Sequence, residues 1–105
     1  MIVALTTVGN ERDAESMARC LVEERLAACV NRVAVRSTYR WDGKVADDAE
    51  HLLVVKSTED LRERLEARVA ELSSYDVPEF VVLAAAATSG SYLQWLVDAC
   101  SPDAE

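Results

Sequence analysis

Apolar and polar positions follow two rhythms along this chain, and their succession predicts the elements. Ile2 to Val8 is apolar or β-branched at nearly every position, which predicts a buried strand closed by the turn Gly9-Asn10. Asn10 with Asp13 three residues on offers a capping-box-like helix start. Ala14, Met17, Ala18, Leu21 and Val22 then repeat at i, i+3, i+4, i+7 and i+8, the spacing of one buried helical face, while Glu15, Arg19, Glu23 and Glu24 fall on the wetted face. This helix is expected to run to about Leu26. A β-rich run from Cys29 to Trp41 follows almost at once, so Ala27-Ala28 reads as a tight packing point. Asp42-Gly43 is the strongest hairpin signal in the chain, and Lys44 to Ser57 is the return strand. Its acidic middle, Asp47-Asp48-Ala49-Glu50, predicts that the outer hairpin projects from the sheet, with Leu52 to Val55 as the buried part.

Ser57 with Asp60 suggests a second capping box, ahead of Leu61, Leu65, Val69 and Leu72 on one face of a helix ending near Ser73-Ser74. Residues 75–79 are a loop and residues 80–86 a last strand. Tyr92, Trp95, Leu96 and Ala99 give a short terminal helix its apolar side, and residues 101–105 are expected to fray. The order β-α-β-β-α-β predicts an α+β, ferredoxin-like fold of two right-handed split βαβ units, with the helices on one face of an antiparallel sheet. Residues 1–100 form one domain, and the uncovered sheet face calls for self-association.

At 105 residues the chain can bury about two-thirds of its unfolded surface, enough for a core without staples. The formal charge of −8 repels phosphate backbones and anionic lipid and weakly concentrates cations, which argues against nucleic acid and membrane as partners. The three cysteines, Cys20, Cys29 and Cys100, lack CxxC spacing and sit in apolar elements, which favours reduced thiols in the cytoplasm. Met1 leads straight into the first strand with no basic segment ahead of it, so no signal peptide is expected. Residues 80–97 carry no charge, a length that nominally reaches a membrane span. Thr88-Ser89-Gly90-Ser91 breaks the run, so a strand, a turn and a short helix account for it.

Several motifs at a characteristic spacing carry a family resemblance. Residues 21–31 (LVEERLAACVN), 37–43 (STYRWDG), 56–58 (KST), 75–79 (YDVPE) and 92–96 (YLQWL) together resemble the CutA family of divalent-cation tolerance proteins over nearly the whole chain. The resemblance implies a stable, ferredoxin-like homotrimer whose long hairpin and aromatic residues wrap around neighbouring subunits. It also implies a role in the response to metal ions, with weak binding of copper or another divalent cation. An architectural likeness to PII signalling proteins implies the alternative, a trimeric small-ligand sensor or scaffold with intersubunit clefts. By resemblance, Cys29, Lys56, Tyr75, Glu79 and Trp95 line such a cleft, and Cys29 is the candidate metal ligand. Family members read as copper binders use a cysteine in the first strand and a histidine before a Pro-Tyr pair. By motif this chain has Thr6 and Ser73 there, and Ser74 in place of the proline.

Each candidate also has a structural reading. Cys29 is either a small buried hydrophobe or a thiol activated by neighbours. Lys56 is an ion-pair partner for Glu79 or Glu24, or a ligand-binding cation. Arg25 reads as one end of a fixed salt bridge. Tyr39 and Trp41, just before the hairpin turn, suit a subunit interface or a stacking wall. His51 lies in an acidic arm with no partner near in sequence, so a solvated or interface role is favoured over metal ligation. With no histidine base, Gly-rich phosphate loop or metal motif, no enzymatic activity is expected.

Overall fold

The computed structural model describes residues 1–102. Strand β1 is Ile2–Val8, helix α1 Glu11–Glu23, strands β2 and β3 Cys29–Trp41 and Lys44–Ser57, helix α2 Arg62–Leu72, strand β4 Val81–Ala84 and helix α3 Gly90–Ala99. The four strands form one sheet in the order β2-β3-β1-β4, every neighbouring pair antiparallel. This is the α+β, βαββαβ architecture expected from the alternation of apolar rhythms.

Helix α1 starts as its sequence predicts, with the Asn10 side chain accepting from the Asp13 N–H at 2.8 Å. It ends at Glu23, before the expected Leu26, because the chain turns into the left-handed region at Arg25, φ 60°. Leu26 N–H donates to the Leu21 carbonyl at 2.9 Å and Arg25 N–H to the Val22 carbonyl at 3.1 Å, the pair of bonds that closes a Schellman motif. A residue with a Cβ gives up about 1 kcal/mol at such a position. Ala14, Met17, Ala18 and Leu21 are buried as their spacing requires, but Val22 at the edge of that face stays 42 % exposed.

Leu21, Leu53, Val55, Leu65 and Val69 form the centre of the core between sheet and helices, and Ala27 is buried with them at the junction. Ser57 continues the alternation of β3 into this core and does not cap a helix. Its hydroxyl donates to the Leu26 carbonyl at 2.6 Å, and a 3-10 turn at Glu59–Leu61 precedes α2, with Thr58 at its N-cap and no side-chain cap bond. Across the outer helices, Arg68 of α2 grips Glu24 with two bonds, 2.9 and 2.8 Å. The expected strand over residues 80–86 is shorter, Val81–Ala84, and no helix among the described residues is long and apolar enough to cross a membrane. Ser101 donates its N–H to the Asp98 carbonyl at 3.1 Å and Pro102 is exposed, whereas residues 103–105 of the expected frayed tail lie outside the described residues.

The hairpin pairs without interruption from Cys29 opposite Lys56 to Trp41 opposite Lys44. Asp42 and Gly43 both have positive φ, 51° and 75°, as a two-residue type I′ turn requires. Strand β1 pairs with β3 only over residues 51–57, so the outer arm stands clear of the sheet and the molecule measures 46 × 26 × 22 Å. Arg36 and Thr38 bind Asp47 across this arm at 2.8 and 3.1 Å, and Tyr39 donates to Asp48. Its apolar residues find no cover, Trp41 being 56 % exposed.

Candidate functional site

Alternation along the strands divides the sheet into two faces. Ala4, Val8, Leu53, Val55, Val30 and Val82 pack in the main core with α1 and α2, so their strand neighbours point to the opposite face, away from those two helices. The register aligns that face in cross-strand rows: Asn31, Val54, Leu5 and Val81 in one, Cys29, Lys56, Val3 and Leu83 in the next. Val81 and Leu83 are 45 % and 51 % exposed, which leaves an apolar surface on a strand edge.

Cys29 and Lys56 are therefore direct cross-strand partners, with Cβ atoms about 5 Å apart. Helix α3 brings the rings. Lys56 Nζ lies 5.9 Å from the centroid of the Tyr92 ring, and Tyr92 meets Trp95 at 5.4 Å between centroids, tilted by 38°. Of the expected apolar side of α3, Leu96 is buried, Tyr92 and Ala99 are half-buried, and Trp95 stays 48 % exposed. Trp95 also walls a cleft of ≈ 400 Å³ between α3 and the end of α1, lined by Val22, Glu23, Arg25, Ala27, Ala28 and Ala99.

Tyr75 and Glu79 lie elsewhere in the chain. The Tyr75 hydroxyl donates to Glu50 at 2.6 Å and stands next to Gly9, at the end of the sheet where Val8 pairs with His51. Glu50 and Lys56 are six residues apart on β3, about 20 Å, so one chain sets Cys29 beside Lys56, reaches Trp95 through Tyr92, and holds Tyr75 at a distance. Glu79 is exposed in the segment that leads into β4. Burial first, then the bond to Glu50, pushes the Tyr75 phenol up from its ordinary value, and the bond to Asp48 raises Tyr39 in the same way.

Of the two ion-pair partners expected for Lys56, Glu24 is engaged by Arg68, whose bond holds its carboxyl below the ordinary range. Among the described residues no carboxylate pairs with Lys56. Arg25 spans to α3, Nη1 donating to the carbonyls of Ala99 at 3.0 Å and Ser101 at 3.2 Å. Cys100 lies in the small second core with Ala28, Leu61 and Leu96, where burial raises its thiol. His51 sits in the sheet opposite Val8 and Ala34. Thr6 is 1 % exposed, with a hydroxyl that has no partner among the described residues. Nor do three His, Cys, Asp or Glu side chains converge among them as a metal site.

The sequence shows Asp48 and Glu50 as an acidic arm and Tyr92 as apolar surface of α3, but not their contacts with Tyr39, Tyr75 and Lys56. Counting outward from Asp42-Gly43 pairs Cys29 with Lys56 by number alone, since each strand step away from a two-residue turn is matched on the other side. No such count links Tyr92 to Lys56 or Tyr75 to Glu50, which meet only through tertiary folding.

Residues 2–99 match the family model of the CutA1 divalent ion tolerance protein. A divalent-cation tolerance protein CutA of Thermus thermophilus is 50 % identical over 95 residues, 90 % of this chain and 92 % of that protein. Among solved structures, CutA1 of Pyrococcus horikoshii superposes with a TM-score of 0.92 at 36 % identity, covering 94 % of this chain and 97 % of that one. A protein named PII-like protein CutA, from a Nostoc species, superposes with a TM-score of 0.87 at 40 % identity, covering 91 % and 93 %. The family and the Thermus relative are named for tolerance of divalent ions, and none of these names carries a catalysed reaction. This chain belongs to the CutA1 divalent ion tolerance protein family.

Proposed function

We propose that the chain works as a homotrimer in the cellular response to divalent metal ions, binding copper or a related cation weakly, in the reducing cytoplasm. The observation that carries the assembly is the sheet face turned away from α1 and α2, where exposed Val81 and Leu83 adjoin half-buried Leu5 and Val54 in neighbouring rows. Tyr39 and Trp41 on the projecting arm are the interface residues of this reading, packing on neighbouring subunits. Such packing also lets Tyr75 and Glu79 of one subunit approach Cys29, Lys56 and Trp95 of another, completing an intersubunit pocket that a single chain leaves divided.

Weak cation binding suits a surface of net charge −8 with Cys29 as a lone soft donor at the pocket. Calorimetric titration with Cu(II) against a competing chelator tests it. Uptake that the chelator removes is expected, and tight stoichiometric copper that disappears with Cys29→Ser would contradict it.

A specific observation favours a second reading, a small-ligand sensor of the PII type. Lys56 faces an aromatic ring and a thiol with no carboxylate partner among the described residues, which leaves its charge available to an anionic metabolite. A thermal-shift panel of metabolites on the wild type and Lys56→Met tests this reading. Stabilisation lost in Lys56→Met supports it, and a panel with no response in the wild type counts against it.

A further inference from the structure

The end of α1 makes two opposing demands on one residue. The left-handed backbone at position 25 is least strained for glycine, yet arginine stands there with φ 60°. Its guanidinium donates to the carbonyls of Ala99 and Ser101, at and just beyond the end of α3. The last turn of α3 has no basic residue of its own, so Arg25 brings donor and positive charge to these carbonyls from outside the helix. The remaining seat of α3 is Leu96 and Cys100 packing on Ala28 and Leu61, with Met1, Tyr92 and Ala99 half-buried against them. One to two turns back along the same helix stand Tyr92, under Lys56, and Trp95.

We propose that Arg25 is a positioning residue for the Lys56 site: by holding the C-terminal carbonyls of α3, it fixes the Tyr92–Trp95 pair beside Lys56 and Cys29. Its significance for binding rests on the reading of Lys56 as part of a ligand pocket. Arg25 acts through α3, which transmits the position of its held end to the two rings as a rigid rod. The side chain thus explains why a strained backbone position is not filled by glycine.

Arg25→Gly relaxes the backbone and removes the tie, so fold stability and helix positioning separate in this variant. The test compares wild type, Arg25→Gly, Arg25→Asn and Arg25→Lys, full-length and in their native assembly, by hydrogen exchange and by iodoacetamide labelling of Cys29 read by mass spectrometry. In Arg25→Gly, protection over residues 93–100 is expected to fall about five- to tenfold, the scale of a lost hydrogen-bonded tie. Cys29 labelling should rise, while exchange in α1 and the sheet holds. Arg25→Asn, which tolerates the left-handed backbone, should match Arg25→Gly and decides the case if the glycine variant folds poorly. Arg25→Lys, able to reach one carbonyl, should restore part of the protection. Unchanged protection of α3, a loss spread evenly over α1 and the sheet, or no restoration by lysine would overturn the proposal. Both readouts are taken without ligand, so an unresponsive metabolite panel would refute the pocket and leave the positioning role standing.

Discussion

Tyr75 donates its phenolic hydrogen to Glu50 at 2.6 Å, and this bond fastens the loop ahead of β4 to the base of the projecting hairpin. The phenol is raised above its ordinary value of 10.0 by partial burial and by the carboxylate it binds. A raised folded value means that the neutral phenol stabilises the fold fully below pH 10 and that this contribution is lost as pH climbs through the folded value. Tyr75→Phe should cost about 0.5–1 kcal/mol at neutral pH, since the bond is charge-assisted but solvent-accessible. Urea unfolding at neutral and alkaline pH checks both parts: the difference from wild type should shrink at high pH.

Thr6 presents the opposite case, a hydroxyl inside the core with no acceptor among the described residues. Replacing it with the near-isosteric valine removes an unsatisfied donor and should stabilise the fold by about 1 kcal/mol. A denaturation midpoint that falls in Thr6→Val would show that the hydroxyl has a partner and that this assignment is wrong.

Acid acts through two exposed carboxylates. Arg68 holds Glu24, and Arg36 with Thr38 holds Asp47, below their ordinary values of 4.5 and 3.8. A lowered folded value gives stability that is present above the ordinary value and disappears as pH falls through the lowered one. Unfolding midpoints followed downward from neutral pH should therefore decline below pH 4.5, starting with Glu24. The decline should be shallower in the double variant Arg36→Met/Arg68→Met, and an identical slope would remove these pairs from the acid response.

Much of the fold was legible in local pattern. The bounds of β1, β2 and β3 follow from apolar runs ended by Gly9-Asn10 and Asp42-Gly43, because alternation and turn chemistry are properties of adjacent residues. The cap at Asn10 is legible for the same reason. What escaped depends on distant partners. Ser57 has the residue type of a cap, but the pleat of β3 aims it at Leu26. Arg25 ends α1 without the glycine that usually marks such a stop, since its side chain is occupied at α3. In the apolar stretch of α3 nothing local distinguishes the seated Leu96 from the exposed Trp95. The same limit applies to the site: the hairpin register sets Cys29 beside Lys56, whereas Tyr92 joins them only through the packing of α3.

Leu83 gives a contrast between chain and assembly. At 51 % exposure on an edge strand it supports little in an isolated subunit, so Leu83→Asp should leave a monomer's fold nearly unchanged. In an assembly closed through the open face, a buried unpaired carboxylate is strongly unfavourable. The variant should then shed subunits and lose thermal stability together. Unaltered mass and melting in Leu83→Asp would place the subunit contacts elsewhere.

Everything proposed about the pocket depends on subunits meeting through the sheet face turned away from α1 and α2 and through the Trp41 arm. Light scattering coupled to size exclusion, at low micromolar concentration and neutral pH, measures this directly. A single species with the mass of three chains is expected, and a stably folded monomer under those conditions would contradict it.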